Sequence, residues 1–180
     1  LKKVLRLSCK SGNPYLQEVD HYQHRKLKVT KSSDSGLSEL RALLAKTHDS
    51  ERIQARDKRH ARGYRTAREN LIDLVDDESF LEYGQLAVAA QRSRKSKEEL
   101  QTETATDGIV AGIATINSAI IQNASCKVAI LINDYTVLAG TQGFYHHQKL
   151  DRICEIARNQ KLPVVMFTEG GGGRPGDTDV

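Results

Sequence analysis

Residues 162–177 read LPVVMFTEGGGGRPGD. Pro163 resets the chain, and the β-branched and aromatic run Val164–Thr168 reads as a buried strand. Gly170–Gly173 follow it directly. Working upstream, KVAILIN (127–133) and GIVAGIATI (108–116) are two more β-rich runs, joined by a polar turn around Gln122-Asn123. Between 133 and 162 lie a loop, DYTVLAGTQG, and a helix from Phe144 to Asn159 whose buried stripe is Leu150, Ile153, Cys154 and Ala157. Strand, helix, strand predicts a right-handed parallel crossover. The expected fold class is therefore α/β, with the three strands in one sheet and the helix packed on it. The glycines then sit at the carboxyl end of a strand, where such folds place ligands.

Several readings compete for the glycine run. A flexible loop is the plainest of them. A Walker A loop needs Lys-Ser/Thr after its last glycine, and Arg174-Pro175 stands there instead. Gly171-x-Gly173-x-x-Gly176 matches a dinucleotide fingerprint, but as a lone pattern that Pro175 interrupts, with the position of the expected acid lying beyond Val180. An oxyanion hole fits better. Glycines between a strand and a helix aim successive backbone N–H groups at one point, and the helix N-terminus adds positive potential. No Ser-His-Asp or Cys-His constellation is evident, which suits a mechanism based on backbone donors.

The rest of the chain divides by composition. Residues 1–50 read as a linker or the tail of an upstream unit, with Gly12-Asn13-Pro14 as turn chemistry and Leu37, Leu40, Leu43 and Leu44 marking a short helix. A basic helical stretch continues to Arg62, where Gly63 breaks it. Thr66-Ala67-Arg68-Glu69 has the capping-box spacing and opens a helix with Leu71, Leu74 and Val75 on its apolar side. Residues 91–106 (QRSRKSKEELQTETAT) are almost wholly polar and read as a surface loop of disordered composition.

Hydrophobic residues at 38% and charged residues at 28% fit a globular chain, and no apolar run nears the roughly 20 residues of a membrane span. Cys9, Cys126 and Cys154 are odd in number and widely spaced, which argues for a reducing compartment. Cys126 and Cys154 read as small core residues. With no signal-peptide pattern at the start, a cytoplasmic location is expected, with the mitochondrial matrix as the alternative. The net charge of +4 hides a sharp asymmetry. Residues 52–68 carry Arg52, Arg56, Lys58, Arg59, Arg62, Arg65 and Arg68 against Asp57 alone, whereas residues 69–86 carry six acids and no base. No metal site is expected. His146 and His147 are neighbours that point about 100° apart on a helix, and His21 and His24 lack a third ligand.

ARGYRTARENLIDLVDDESFLEYG (61–84), DGIVAGIATI, VAILINDYTVLAGTQGFYHHQKL and LPVVMFTEGGGGR together resemble, in order and spacing, the carboxyltransferase component of biotin-dependent acyl-CoA carboxylases. The resemblance covers residues 52–180. It implies a crotonase/ClpP-like fold, residues 51–180 being the amino-terminal part of the first of two related halves and truncated at its carboxyl end. It implies transfer of a carboxyl group from carboxybiotin to the α-carbon of an acetyl-, propionyl- or longer acyl-CoA. Biotin would be carried on another domain or subunit. The implied partners are a biotinylated carrier domain, a biotin carboxylase component and further copies of the chain, with the active site at a subunit interface. Neither a membrane nor a nucleic acid is among them.

The resemblance also assigns residues. Gly171 and Gly172 fall on the pair that holds the thioester enolate oxygen, with Gly170 and Gly173 flanking them. Glu169 and Gly170 replace the usual Asp and Ser, Gly173 replaces Ala, and Arg174-Pro175-Gly176-Asp177 departs from the family's continuation. Arg65 and Arg68 are the implied contacts to CoA phosphates, a solvated basic face being the competing reading for them and the expected one for Arg52, Arg56 and Arg59. Gly140 and Gly143 allow close approach to a ligand, with turn chemistry as their competing role. Two other functions remain open on sequence alone: a biotin-independent crotonase-fold acyl-CoA enzyme, and a nucleic-acid-binding module using 52–68 as a basic helix. Against the module, no aromatic residues interleave that helix.

Overall fold

A computed structural model describes residues 31–121 and 125–179. Cys9, the turn at Gly12-Asn13-Pro14, His21, His24 and the turn at Gln122-Asn123 lie outside the described residues. The chain divides after Gly36, and from Leu37 on it forms one compact unit.

The sheet follows from alternation. Strand β2 (Ile109–Thr115) pairs antiparallel with β3 (Lys127–Asn133), in register from Ile109↔Asn133 to Thr115↔Lys127. The short β1 (Leu81–Glu82) adds antiparallel to β2, and β4 (Val164–Phe167) adds parallel to β3, giving the order β1-β2-β3-β4. Successive side chains on a strand point to opposite faces. Ile109, Ala111, Ala129 and Leu131 therefore meet Ile153, Ile156 and Ala157 of the long helix α5 (Phe144–Gln160) on one side. Val110, Ala114, Val128, Ile130 and Ile132 meet Ala67 and Leu71 of helix α3 (Ala67–Leu74) on the other. Both faces are covered, so β2 and β3 read as continuous apolar runs. The shared sheet, the parallel β3–α5–β4 unit and the helix packed on it all match the sequence reading.

The caps follow local chemistry. Thr66 Oγ1 accepts from the Glu69 N–H at 3.1 Å, while the Glu69 carboxylate accepts from the Thr66 N–H at 2.8 Å. This is the expected capping box, and Leu71, Leu74 and Val75 do face the core. A second capping box went unread. Ser96 and Glu99 make the same reciprocal bonds and open helix α4 (Lys97–Glu103). Residues 91–106 are thus no disordered loop: Leu100, Thr104 and Ala105 are buried, and Thr104 Oγ1 accepts from the Ala89 N–H. Leu100, the one apolar residue of α4, was enough to anchor the segment.

Four other expectations are corrected. Strand β4 lies at the sheet edge with Val164 and Met166 exposed, rather than buried. Cys154 is exposed and Cys126 half-buried, so neither is a core residue; Ile156 takes the place in the stripe given to Cys154. The helix from Leu37 to Arg62 is two helices, α1 (Lys31–Ala45) and α2 (Ile53–His60). Thr47 Oγ1 donates to the Leu44 carbonyl at 2.7 Å, a side-chain bond that competes with helix continuation. Finally, no helix follows the glycines among the described residues. No helix there is long and apolar enough to cross a membrane.

Candidate active site

Two loops leave the carboxyl ends of the parallel pair: residues 134–143 after β3, and 168–177 after β4. They continue the pairing beyond the strands. The Gln142 N–H donates to Gly172 O and the Arg174 N–H donates to Gln142 O, both at 2.8 Å. The contact is close enough to dictate sequence. A Cβ on Gly140 would lie 2.2 Å from Glu169 O, and one on Gly170 would lie 2.1 Å from Gly140 O. Each glycine is there because the other loop's backbone occupies the space. Gly143 is likewise closed off by Asp177 and Arg174, at 2.1 and 2.5 Å from the position of a Cβ.

The glycine run itself is differentiated. The Gly171 N–H donates to Ala139 O at 3.2 Å, so this amide is already used within the chain. Gly172 has φ +97°, a conformation that other residues avoid, and nothing lies within 4 Å of where its Cβ would be. Among the described residues, the N–H groups of Gly172 and Gly173 donate to no acceptor, and Gly173 is equally open. An unpaired, unobstructed amide beside a strand end is what an oxyanion needs.

Beneath the loops lies a buried polar cluster. The Arg174 guanidinium donates to Asp107 at 2.7 Å, to Asp177 at 3.1 Å and to the Thr141 carbonyl at 2.7 Å. The Asp107 carboxylate also accepts from the His146 N–H at 2.7 Å, and Asp177 accepts from the Phe144 N–H at 3.2 Å and from Gln91 at 2.8 Å. Burial raises the pKa of Asp107 despite the arginine beside it. Lys149 donates to the carbonyls of Thr106 and Ile109, and burial brings it down to about 8. His146 is fully buried, its Nε2 without a partner among the described residues, and burial lowers it from 6.5 to about 4.

The folded-state pKa of His146 is below its unfolded value, so the fold favours the neutral ring. The associated stability is full above pH 6.5 and is lost as pH falls through 4, amounting to about 3 kcal/mol. Denaturation of wild type and His146→Gln between pH 7.5 and 4.5 checks this. The wild type is expected to lose about that much more stability than the variant, and parallel curves would exclude a neutral buried ring.

The basic stretch is sorted by its partners. Arg52 is half-buried, and its guanidinium pairs with Asp134 at 2.7 Å and with Thr136 at 2.9 Å. Arg59 is buried under the rings of Tyr64 and Tyr135 and holds Glu169 in a two-point bond at 2.8 and 3.0 Å. The solvated-face reading of these two is corrected; it holds for Arg56, which touches only its neighbour Asp57. Arg68 is buried on Glu82 at 2.6 and 3.0 Å, so its charge faces a carboxylate. Arg65 is exposed, bridging Asp73 and the Glu69 carbonyl. With Arg52, Arg59 and Arg68 withdrawn into ion pairs, residues 52–68 present no continuous basic face. Lys58 and Arg62 alone in the stretch have no acceptor among the described residues, a distinction that composition alone does not make. They line a cavity of about 750 Å³ between α2 and the 134–139 loop, together with Tyr135 and Ala139. Ala139 is the residue whose carbonyl holds Gly171, so the cavity borders the glycine run. Among the described residues no cluster of His, Cys, Asp or Glu is arranged to hold a metal ion.

The carboxyl transferase domain family matches residues 58–178, which contain α3, the whole sheet, α5 and the glycine run. This chain belongs to that family. Among relatives, the carboxyltransferase-family chain is 33% identical over 119 residues to the beta5 subunit of a biotin-dependent acetyl-/propionyl-coenzyme A carboxylase from Mycobacterium leprae, covering 66% of this chain and 20% of that protein. It is 32% identical to the methylmalonyl-CoA decarboxylase subunit alpha of Veillonella parvula, covering 66% of this chain and 21% of that one. Among solved structures, a single-chain, multi-domain long-chain acyl-CoA carboxylase is 53% identical with a TM-score of 0.76, over 79% of this chain and 14% of that chain. The transcarboxylase 12S hexamer, solved with methylmalonyl-coenzyme A, is 26% identical with a TM-score of 0.62, over 84% and 27%. The fold is therefore the crotonase-like α/β fold of carboxyltransferase domains. The chain spans about a fifth of the length of the relatives it matches.

Proposed function

We propose that residues 51–180 are the amino-terminal part of the carboxyltransferase of a biotin-dependent acyl-CoA carboxylase, carboxylating the α-carbon of an acyl-CoA. The observation that carries this is the open Gly172 amide at the end of the parallel pair, beside a cavity with two uncommitted cations. A thioester carbonyl fits that opening, since no side chain or carbonyl competes for the amide. Gly172 donates to the oxygen that becomes an enolate when the α-proton leaves, with the open Gly173 amide as second donor in place of the Gly171 amide, which Ala139 O occupies. Gly170 and Gly140 hold the two loops together around it, and Gly143 makes room for the cluster below. Carboxybiotin, carried on another domain or subunit and formed by a biotin carboxylase component, supplies the activated carboxyl group. The 53% identity to a long-chain enzyme favours a longer acyl chain over acetyl. The hexamer formed by one neighbour supports an oligomer with the site near a subunit boundary.

The CoA phosphates are assigned to Lys58 and Arg62. Charge reversal at either, in the complete chain, is expected to raise the KM for acyl-CoA about tenfold, the scale of one charge-assisted hydrogen bond of about 1.5 kcal/mol. Turnover stays nearly unchanged, the mark of lost uniform binding. Arg65→Glu has a smaller effect because Asp73 already shares its charge. Steady-state carboxylation of acetyl-, propionyl- and long-chain acyl-CoA measures all three. An unaltered KM in both the Lys58 and Arg62 variants would remove the cavity from the CoA site.

A further inference from the structure

We infer that Arg174 is a positioning residue that sets the direction of the Gly172 and Gly173 amides. Four consecutive glycines cannot fix their own backbone, because glycine populates more φ/ψ space than any other residue. Yet a donor aimed at an oxyanion must be held to about 0.5 Å. The constraint has to come from the residues at the two ends of the run. At the front, Glu169 is held by Arg59, but the Glu169 side chain is 41% exposed and its ion pair is screened by water. At the rear, Arg174 is two residues from Gly172, and its side chain is 9% exposed on carboxylates that are 0% and 1% exposed.

The rear attachment is also the broader one. One guanidinium reaches three separate segments: the turn before β2 at Asp107, the loop before α5 at Thr141, and the chain after the glycines at Asp177. The two carboxylates in turn accept the Phe144 and His146 N–H groups at the start of α5. The glycine run is thereby fastened to the helix that packs on the sheet. The planar guanidinium fork is required, since Nη1 donates to both carboxylates while Nη2 and Nε donate to the Thr141 carbonyl and hydroxyl, a spread of donors that the single nitrogen of an ammonium does not have.

This inference rests on the oxyanion reading of the glycines, and the test separates the two. Arg174→Lys keeps the charge and loses the fork. In the complete carboxylase, its kcat is expected to fall about 10- to 100-fold, the scale of a misplacement of about 1 Å, with KM for acyl-CoA unchanged. Amide hydrogen exchange of peptides covering 168–176 should accelerate in the same variant. Glu82→Ala serves as the stability-matched control: it opens a different buried ion pair, lowers the Tm, and leaves kcat intact below that temperature. Wild-type kcat and unchanged exchange in Arg174→Lys would overturn the inference, as would an equal loss of kcat in Glu82→Ala. Accelerated exchange with wild-type kcat would keep Arg174 as the fastening of the loop while removing the glycines from catalysis, and would overturn the positioning role.

Discussion

Gly172→Val in the complete carboxyltransferase is expected to lower kcat by about 10²–10³, the effect of removing one oxyanion donor worth about 3–4 kcal/mol. No steric clash awaits the new side chain, because the space around the position of the Cβ is empty. The effect comes from the backbone: at φ +97° a β-branched residue is strained, and relief rotates the amide away from the substrate oxygen. KM for acyl-CoA should survive, since the proposed nucleotide contacts are Lys58 and Arg62 and not the glycines. Steady-state kinetics of the purified variant, with Arg56→Gln as a surface control, measures both constants. Near-normal turnover in a folded Gly172→Val enzyme would return the glycines to the role of a loop.

Glu82→Ala is expected to destabilise the fold by about 3–5 kcal/mol, the usual result of leaving one member of a buried ion pair uncompensated. The Arg68 and Glu82 side chains are 9% and 8% exposed, and only Thr47, at 3.4 Å, remains to accept from the guanidinium. Chemical denaturation checks the magnitude, and KM for acyl-CoA in the surviving enzyme should not move. A loss below about 1 kcal/mol would place the pair among surface ion pairs. A raised KM would restore Arg68 to the CoA site that the sequence resemblance implied.

Features built from neighbours in the chain were legible in the sequence. Strands β2, β3 and β4, helix α5, the Thr66–Glu69 capping box and the glycines after β4 depend on periodicity and on bonds spanning a few residues, whereas β1 exists only through its pairing with β2. The second capping box, at Ser96 and Glu99, was equally local. It was overlooked because composition dominated the reading of 91–106, although Leu100 by itself buries that helix.

The fate of the charges was not legible. Arg68 pairs 14 residues away, Arg174 with Asp107 67 away, Arg52 with Asp134 82 away, and Arg59 with Glu169 110 away. A charge in a sequence carries no address; which arginine is free for a phosphate depends on which carboxylates the sheet brings beside it. The same holds for the glycines. Their identity announces a backbone approached closely by something, but Gly140, Gly143 and Gly170 face other parts of the chain, while Gly172 faces open space. Local periodicity therefore sufficed for α3, β2, β3, α5 and β4 and their order. The sorting of arginines and glycines into structural and functional roles arose from long-range pairing, which exists only once the sheet and α5 have closed.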